Sequence, residues 1–160
     1  MSASPPPLRP YQLGCLDAMM GDLEAEGSAL GVLATGTGKT PVIASLAERI
    51  HRTRGGRILA LAQRQELLEQ IERAAGRWTG LSVGLEIADR GVDRNELPDL
   101  VVASVGSMQG KRLASWPRDA FAAVLVDEAH HAVAPGHRKV LDWFNEAWRA
   151  GFTATADRLD

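Results

Sequence analysis

The chain has 160 residues, 45% hydrophobic and 24% charged, and its 18 basic and 20 acidic side chains leave a formal net charge of −2. That length suits one α/β domain with a buried core and is short for two full-sized lobes. No apolar run approaches the roughly 20 residues of a membrane span, and the charge balance argues against a broad basic face, so any grip on nucleic acid is expected from local arginines and backbone groups.

The opening MSASPPPLRP lacks the basic and apolar regions of a secretory signal. Residues 1–7 are therefore expected to be a proline-rich leader, residues 8–160 a single domain, and the location cytoplasmic. One cysteine, Cys15, can form neither an internal disulfide nor a metal pair and reads as a helix packing residue.

Leu13, Leu16, Met19/Met20 and Leu23 recur at helical intervals between Pro10 and Gly27, which predicts a first helix. ALGVLA at 29–34 is a short apolar strand running into glycine-rich sequence, and PVIASLAERIHRTRGG has helical period and a Gly-Gly stop. RILALA at 57–62 is a buried strand, followed by a helix whose inner face carries Leu67, Leu68, Ile71 and Ala74/Ala75. LSVGLEI is a candidate third strand, DLVVAS at 99–104 a further one, and VGSMQGKRLASW a short helical stretch. FAAVLVDEAHH is a strand ending in acids, APGHRKVLDWFNEAW a helix with Val140, Leu141 and Phe144 at core spacing, and AGFTATADRLD a last short strand. Continuous apolar strands alternating with helices predict a mostly parallel sheet covered on both faces. Trp78, Trp116, Trp143 and Trp148 form no evident stacking platform and are expected to be packing residues; His51, His131 and His137 have no metal-ligand spacing and are expected in loops or on the surface.

The turn TGTGKT carries strand into helix. Glycines let backbone N–H groups converge on an anion, and the helix N-terminus adds positive potential. Lys39 is placed to reach β- and γ-phosphates and the Thr40 hydroxyl to coordinate Mg²⁺. Leu33 stands where the longer phosphate-loop pattern has glycine, and Pro41 falls in the first helical turn, where the helix needs no N–H but a phosphate would lose a donor. Downstream, Asp127 and Glu128 close a hydrophobic strand at the sheet's carboxyl edge. An Asp holding the metal beside a Glu orienting and deprotonating water suits phosphoanhydride hydrolysis.

Taken together, LRPYQ, ATGTGKT, DEAH and FTATADRLD resemble, in order, the Q motif and motifs I, II and III of superfamily 2 helicases and translocases, in the branch of DEAH-box proteins and restriction-enzyme motors. The resemblance runs from Leu8 to the end and implies the first RecA-like ATPase lobe, an α/β P-loop fold using ATP and Mg²⁺. It implies that Gln12 meets the adenine edge with Arg9 and Tyr11 shaping its pocket, that Thr35, Gly36, Thr37 and Gly38 wrap the phosphates with Lys39 and Thr40, and that Asp127 and Glu128 serve metal and water. It also implies nucleic-acid backbone contacts from Gln63 and Arg64 in LAQRQELLEQ (motif Ia) and from Ser104 and Ser107 in VVASVGSMQ (motif Ib), with DNA expected ahead of RNA. His130, Thr153 and Thr155 would couple nucleotide state to the motor. Gln63, Gly106 and Ala156 depart from the residues relatives usually carry there.

The family pattern adds a second RecA-like lobe that supplies arginine fingers, so these 160 residues alone are expected to hydrolyse ATP weakly. The alternative is a stand-alone nucleotide- or nucleic-acid-binding module without turnover. A P-loop kinase is a weaker reading, because it leaves DEAH and TAT unexplained.

Overall fold

A computed structural model describes residues 8–33, 38–129 and 134–154. The proline leader, Thr35, Gly36, Thr37, His130, His131, Thr155 and Ala156 lie outside the described residues.

Helix α1 (Pro10–Glu26) ends at Gly27 and leads into β1 (Ser28–Val32). Then come α2 (Lys39–Arg54), β2 (Arg57–Ala62), α3 (Gln65–Trp78), β3 (Val83–Glu86) and β4 (Leu100–Ser104). A 3-10 turn (Val105–Ser107) and a short α4 (Gly110–Ala114) precede β5 (Phe121–Asp127), α5 (Pro135–Trp143) and β6 (Trp148–Thr153). The six strands form one sheet in the order β1-β6-β5-β2-β4-β3, and every pairing is parallel. Each connection must therefore cross a face of the sheet, which is why helices cover it.

Successive side chains of a strand point to opposite faces, and β2 shows the division. Ile58, Ala60 and Ala62 join α1, α2 and α3 in one core, whereas Leu59 and Leu61 join Trp116, Phe121, Val140 and Phe144 in the other. Phe121 anchors the second core, its ring 5.1 Å from that of Trp116 and 5.0 Å from that of Phe144. Trp116 is buried, Trp78, Trp143 and Trp148 are partly buried against the two cores, and each carries a guanidinium over its ring: Arg54 on Trp148, Arg77 on Trp78, Arg94 on Trp116 and Arg118 on Trp143.

Three expectations need correction. Helix α2 starts at Lys39 rather than Pro41, so the lysine and threonine belong to its first turn. Helix α5 ends at Trp143, and Trp148 already belongs to β6; Phe144 closes the helix by burying its ring rather than extending it. His137 is buried in the first turn of α5, so it is neither a loop nor a surface residue, whereas His51 sits partly exposed in the last turn of α2 with Nδ1 2.6 Å from the Gly56 carbonyl. Cys15 is half-buried on α1, and burial raises its thiol pKa.

Strand β1 lies at one end of the sheet. Its Leu30 and Val32, 41% and 45% exposed, point to the same side, away from α1. The other end is fixed by a buried acid: Glu86, the last residue of β3, accepts from Arg112 Nε at 3.0 Å and from the Val92 N–H at 2.9 Å, with Arg94 3.9 Å away. Burial lowers the Arg94 pKa, Glu86 opposes that shift, and Arg112 adds to it.

Candidate nucleotide-binding site

Parallel strands deliver their carboxyl ends to one edge, and the neighbours β1, β6 and β5 bring the motifs together there. Val32 is in register with Thr153, and Asp127 with Phe152. The Leu33 N–H donates to the Thr153 carbonyl at 3.0 Å, so the strand entering the phosphate loop is tied directly to the TAT strand. Thr153 itself is fully buried. A close approach holds the other flank: a Cβ on Gly151 would lie 2.6 Å from the Ala129 Cβ, so only glycine lets β6 pass beneath the DEAH segment.

Gly38, at the N-cap of α2, has φ 74°, a left-handed conformation that glycine adopts without strain. Its carbonyl accepts from Gln12 Nε2 at 3.1 Å, and a Cβ there would also sit 3.1 Å from that nitrogen. Gln12 Oε1 in turn accepts from the Arg9 N–H at 2.8 Å, closing a reciprocal cap at the start of α1. The buried Gln12 thus braces the phosphate loop, while Arg9 and Tyr11 remain exposed beside it. This tie joins residues 26 apart in sequence and was not legible from the motif alone.

Lys39 Nζ lies 2.7 Å from Asp127 Oδ1; the aspartate side chain is 3% exposed and that of the lysine 22%. Asp127 also accepts from the Glu128 N–H at 2.8 Å. Glu128 has φ 55°, a conformation that costs a non-glycine residue of order 1 kcal/mol and recurs at functional sites. It turns the chain sharply just after Asp127, setting the second acid off the strand axis. Thr40 stands in the first turn of α2 beside Pro41, which occupies a position whose N–H has no partner within the helix.

The donor set fits the group that the phosphate loop implies. A threonine hydroxyl and an aspartate oxygen are hard ligands of the kind Mg²⁺ takes, and the lysine ammonium already seated against Asp127 shows that this pocket accommodates a cation. A phosphate arriving at the N-terminus of α2 would meet Lys39 and the backbone of the first turn.

The expected nucleic-acid residues stand further along the same edge. Gln63 and Arg64 are exposed between β2 and α3, with Arg64 Nη1 4.0 Å from Glu66. Ser104 closes β4. Ser107 is turned inward: it is 8% exposed, and its Oγ accepts from the Ala88 N–H at 2.9 Å and lies 2.6 Å from Ser104 Oγ. A strand reaching this end of β4 would meet Ser104 and the exposed Gly106 backbone before Ser107.

A wholly parallel sheet clad on both faces, with a lysine at the head of the helix after β1 and an acid pair at the end of β5, defines a RecA-like P-loop lobe. Residues 6–158 match the family described as "Type III restriction enzyme, res subunit", and the chain belongs to that family, within the superfamily 2 helicases and translocases. It is 32% identical over 171 residues to the Saccharomyces cerevisiae protein "Putative ATP-dependent helicase IRC3", a match covering 98% of this chain and 24% of the yeast protein, so the chain spans about a quarter of that relative. Among solved structures, the Sulfolobus solfataricus SWI2/SNF2 ATPase core in complex with dsDNA superposes with a TM-score of 0.74 at 18% identity, over 98% of this chain and 34% of the other. The Pyrococcus furiosus Hef helicase domain does so at 0.73 and 22%, over 95% and 35%. At such identities these two likenesses bear on the fold alone.

Proposed function

We propose that this chain is the ATP-binding lobe of a nucleic-acid motor, hydrolysing ATP in concert with a second RecA-like lobe and thereby moving along DNA. The observation that carries the reading is the Lys39–Asp127 contact at the carboxyl edge of the sheet, with Glu128 next in the chain. Lys39 would hold the β- and γ-phosphates, Thr40 and Asp127 the Mg²⁺, and a Glu128 carboxylate oxygen would take the proton from the attacking water. Bound with ATP, the metal supplies charge neutralisation at the phosphates.

Gln12, through Gly38, would tie base recognition to the shape of the phosphate loop. Gln63, Arg64 and Ser104 would meet the phosphate backbone without reading bases. DNA is expected ahead of RNA from the motif resemblance to restriction-enzyme motors.

The test is the ATPase rate of these residues joined to their native downstream sequence, with and without single- and double-stranded DNA and RNA. Stimulation by nucleic acid is expected. Glu128→Gln should abolish turnover while a fluorescent ATP analogue still binds, and Lys39→Ala should weaken that binding; turnover indifferent to Glu128 would sink the assignment.

A further inference from the structure

Helices α2 and α3 pack side by side and leave between them an open groove of about 570 Å³, lined by Thr40, Pro41, Gln70, Arg73, Arg77 and Trp78. It lies on the flank of α2 away from α1: Arg49 of α2 reaches Asp17 of α1, whereas Glu48 turns the other way and accepts from the Gly80 N–H just beyond α3. The groove is therefore separate from the Gln12 side of the phosphate loop, and it shares with that loop only the first turn of α2.

Its charge is one-sided. Arg73 and Arg77 are four residues apart on α3, about 6 Å along the axis and on one face. Neither is within ion-pair distance of any carboxylate among the described residues, although Arg49 and Arg52 of α2 are paired with Asp17 and Glu48. Of the α3 acids, Glu72 lines a different surface beside β3, and Glu69 accepts from Gln65 at 3.2 Å. Arg77 also lies 5.5 Å over the ring of Trp78, itself partly buried against the core, and Pro41 lines the same groove.

We propose that this groove is a second nucleic-acid contact of the lobe, taking a single strand whose phosphates meet Arg73 and Arg77 and whose base stacks beside Trp78. The two exposed guanidiniums, without a carboxylate partner among the described residues, offer an anion a charged seat, and the indole edge beside them favours one carrying flat bases. The inference rests on the motor reading and extends it beyond Gln63, Arg64 and Ser104, to a place where the strand would abut the helical turn that carries Thr40.

The test is fluorescence anisotropy with a fluorescein-labelled oligothymidylate across a salt series, comparing the unaltered chain, Arg73→Glu/Arg77→Glu, and the charge-matched Arg57→Glu/Arg118→Glu at the opposite edge of the sheet. Loss of two phosphate contacts should lower the slope of log K against log salt by about 1.4 in Arg73→Glu/Arg77→Glu. Its affinity at low salt should fall at least about tenfold, with the control pair within about twofold of the unaltered chain. Equal losses in both pairs would reduce the effect to net charge, unchanged affinity in Arg73→Glu/Arg77→Glu would leave the groove to an anionic protein, and no binding by the unaltered chain would remove the strand altogether; each overturns the proposal. Affinity for the fluorescent ATP analogue, measured on the same variants, reports separately on the motor reading and should be retained.

Discussion

Replacing Lys39 with Met removes the ammonium and keeps most of the stem, leaving Asp127 as a carboxylate that is 3% exposed without its cation. At 2.7 Å the direct attraction is of order 6 kcal/mol for an effective dielectric of about 20, most of it offset by desolvation of the two ions. Breaking a fully buried pair by deleting one partner costs about 3–5 kcal/mol. Because 22% of the lysine side chain still sees water, the expected cost is lower, about 2–3 kcal/mol. For a domain of this size that is a fall in Tm of roughly 5–10 °C.

Asp127→Asn should cost only about 1 kcal/mol, since the freed ammonium can extend into solvent. The double variant Lys39→Met/Asp127→Asn removes the stranded charge and should be no less stable than Lys39→Met. Urea unfolding of all four proteins, without nucleotide, gives the cycle. If the two single losses simply add, the contact contributes nothing and the reasoning fails.

Gly151→Ala would bring two Cβ atoms to 2.6 Å, so β6 and the DEAH segment must part; a loss of about 1–3 kcal/mol in the same unfolding assay is expected. Pro41→Ala restores a backbone donor at the third residue of α2 and should tighten nucleotide binding by about threefold to tenfold in titrations with the fluorescent analogue, as one added hydrogen bond would. Burial raises the Cys15 pKa, so the folded state favours the thiol: that contribution is complete below the pKa of the unfolded chain and is lost as pH rises through the folded value. Iodoacetamide at pH 8 should therefore label the folded chain more slowly than the urea-unfolded chain, and equal rates would contradict the burial of this side chain.

The legible parts of the fold were those fixed by local pattern. Strand β2 falls on residues 57–62 as expected, because an uninterrupted apolar run between Gly-Gly and a polar pair has one way to be buried. The boundary between α5 and β6 was misplaced because Phe144 and Trp148 are apolar in either period, and a parallel pairing with β1 and β5 decided the matter. In the site, Lys39 and Asp127 were readable as partners of one ligand, but not as partners of each other. Nor does any spacing announce that Gln12 holds the Gly38 carbonyl, that Ser107 turns inward to Ala88, or that Glu86 anchors two arginines; those contacts depend on how distant segments meet.

The exposed flank of β1 has a consequence for handling the protein. Among the described residues only β6 pairs with this strand, and Leu30 and Val32 give its outer margin a greasy side. An edge of that kind is a template for another chain to add onto, so in solution these 160 residues should oligomerise edge to edge as concentration rises. A lysine at position 32 would put a charge on that margin and should keep the protein dispersed.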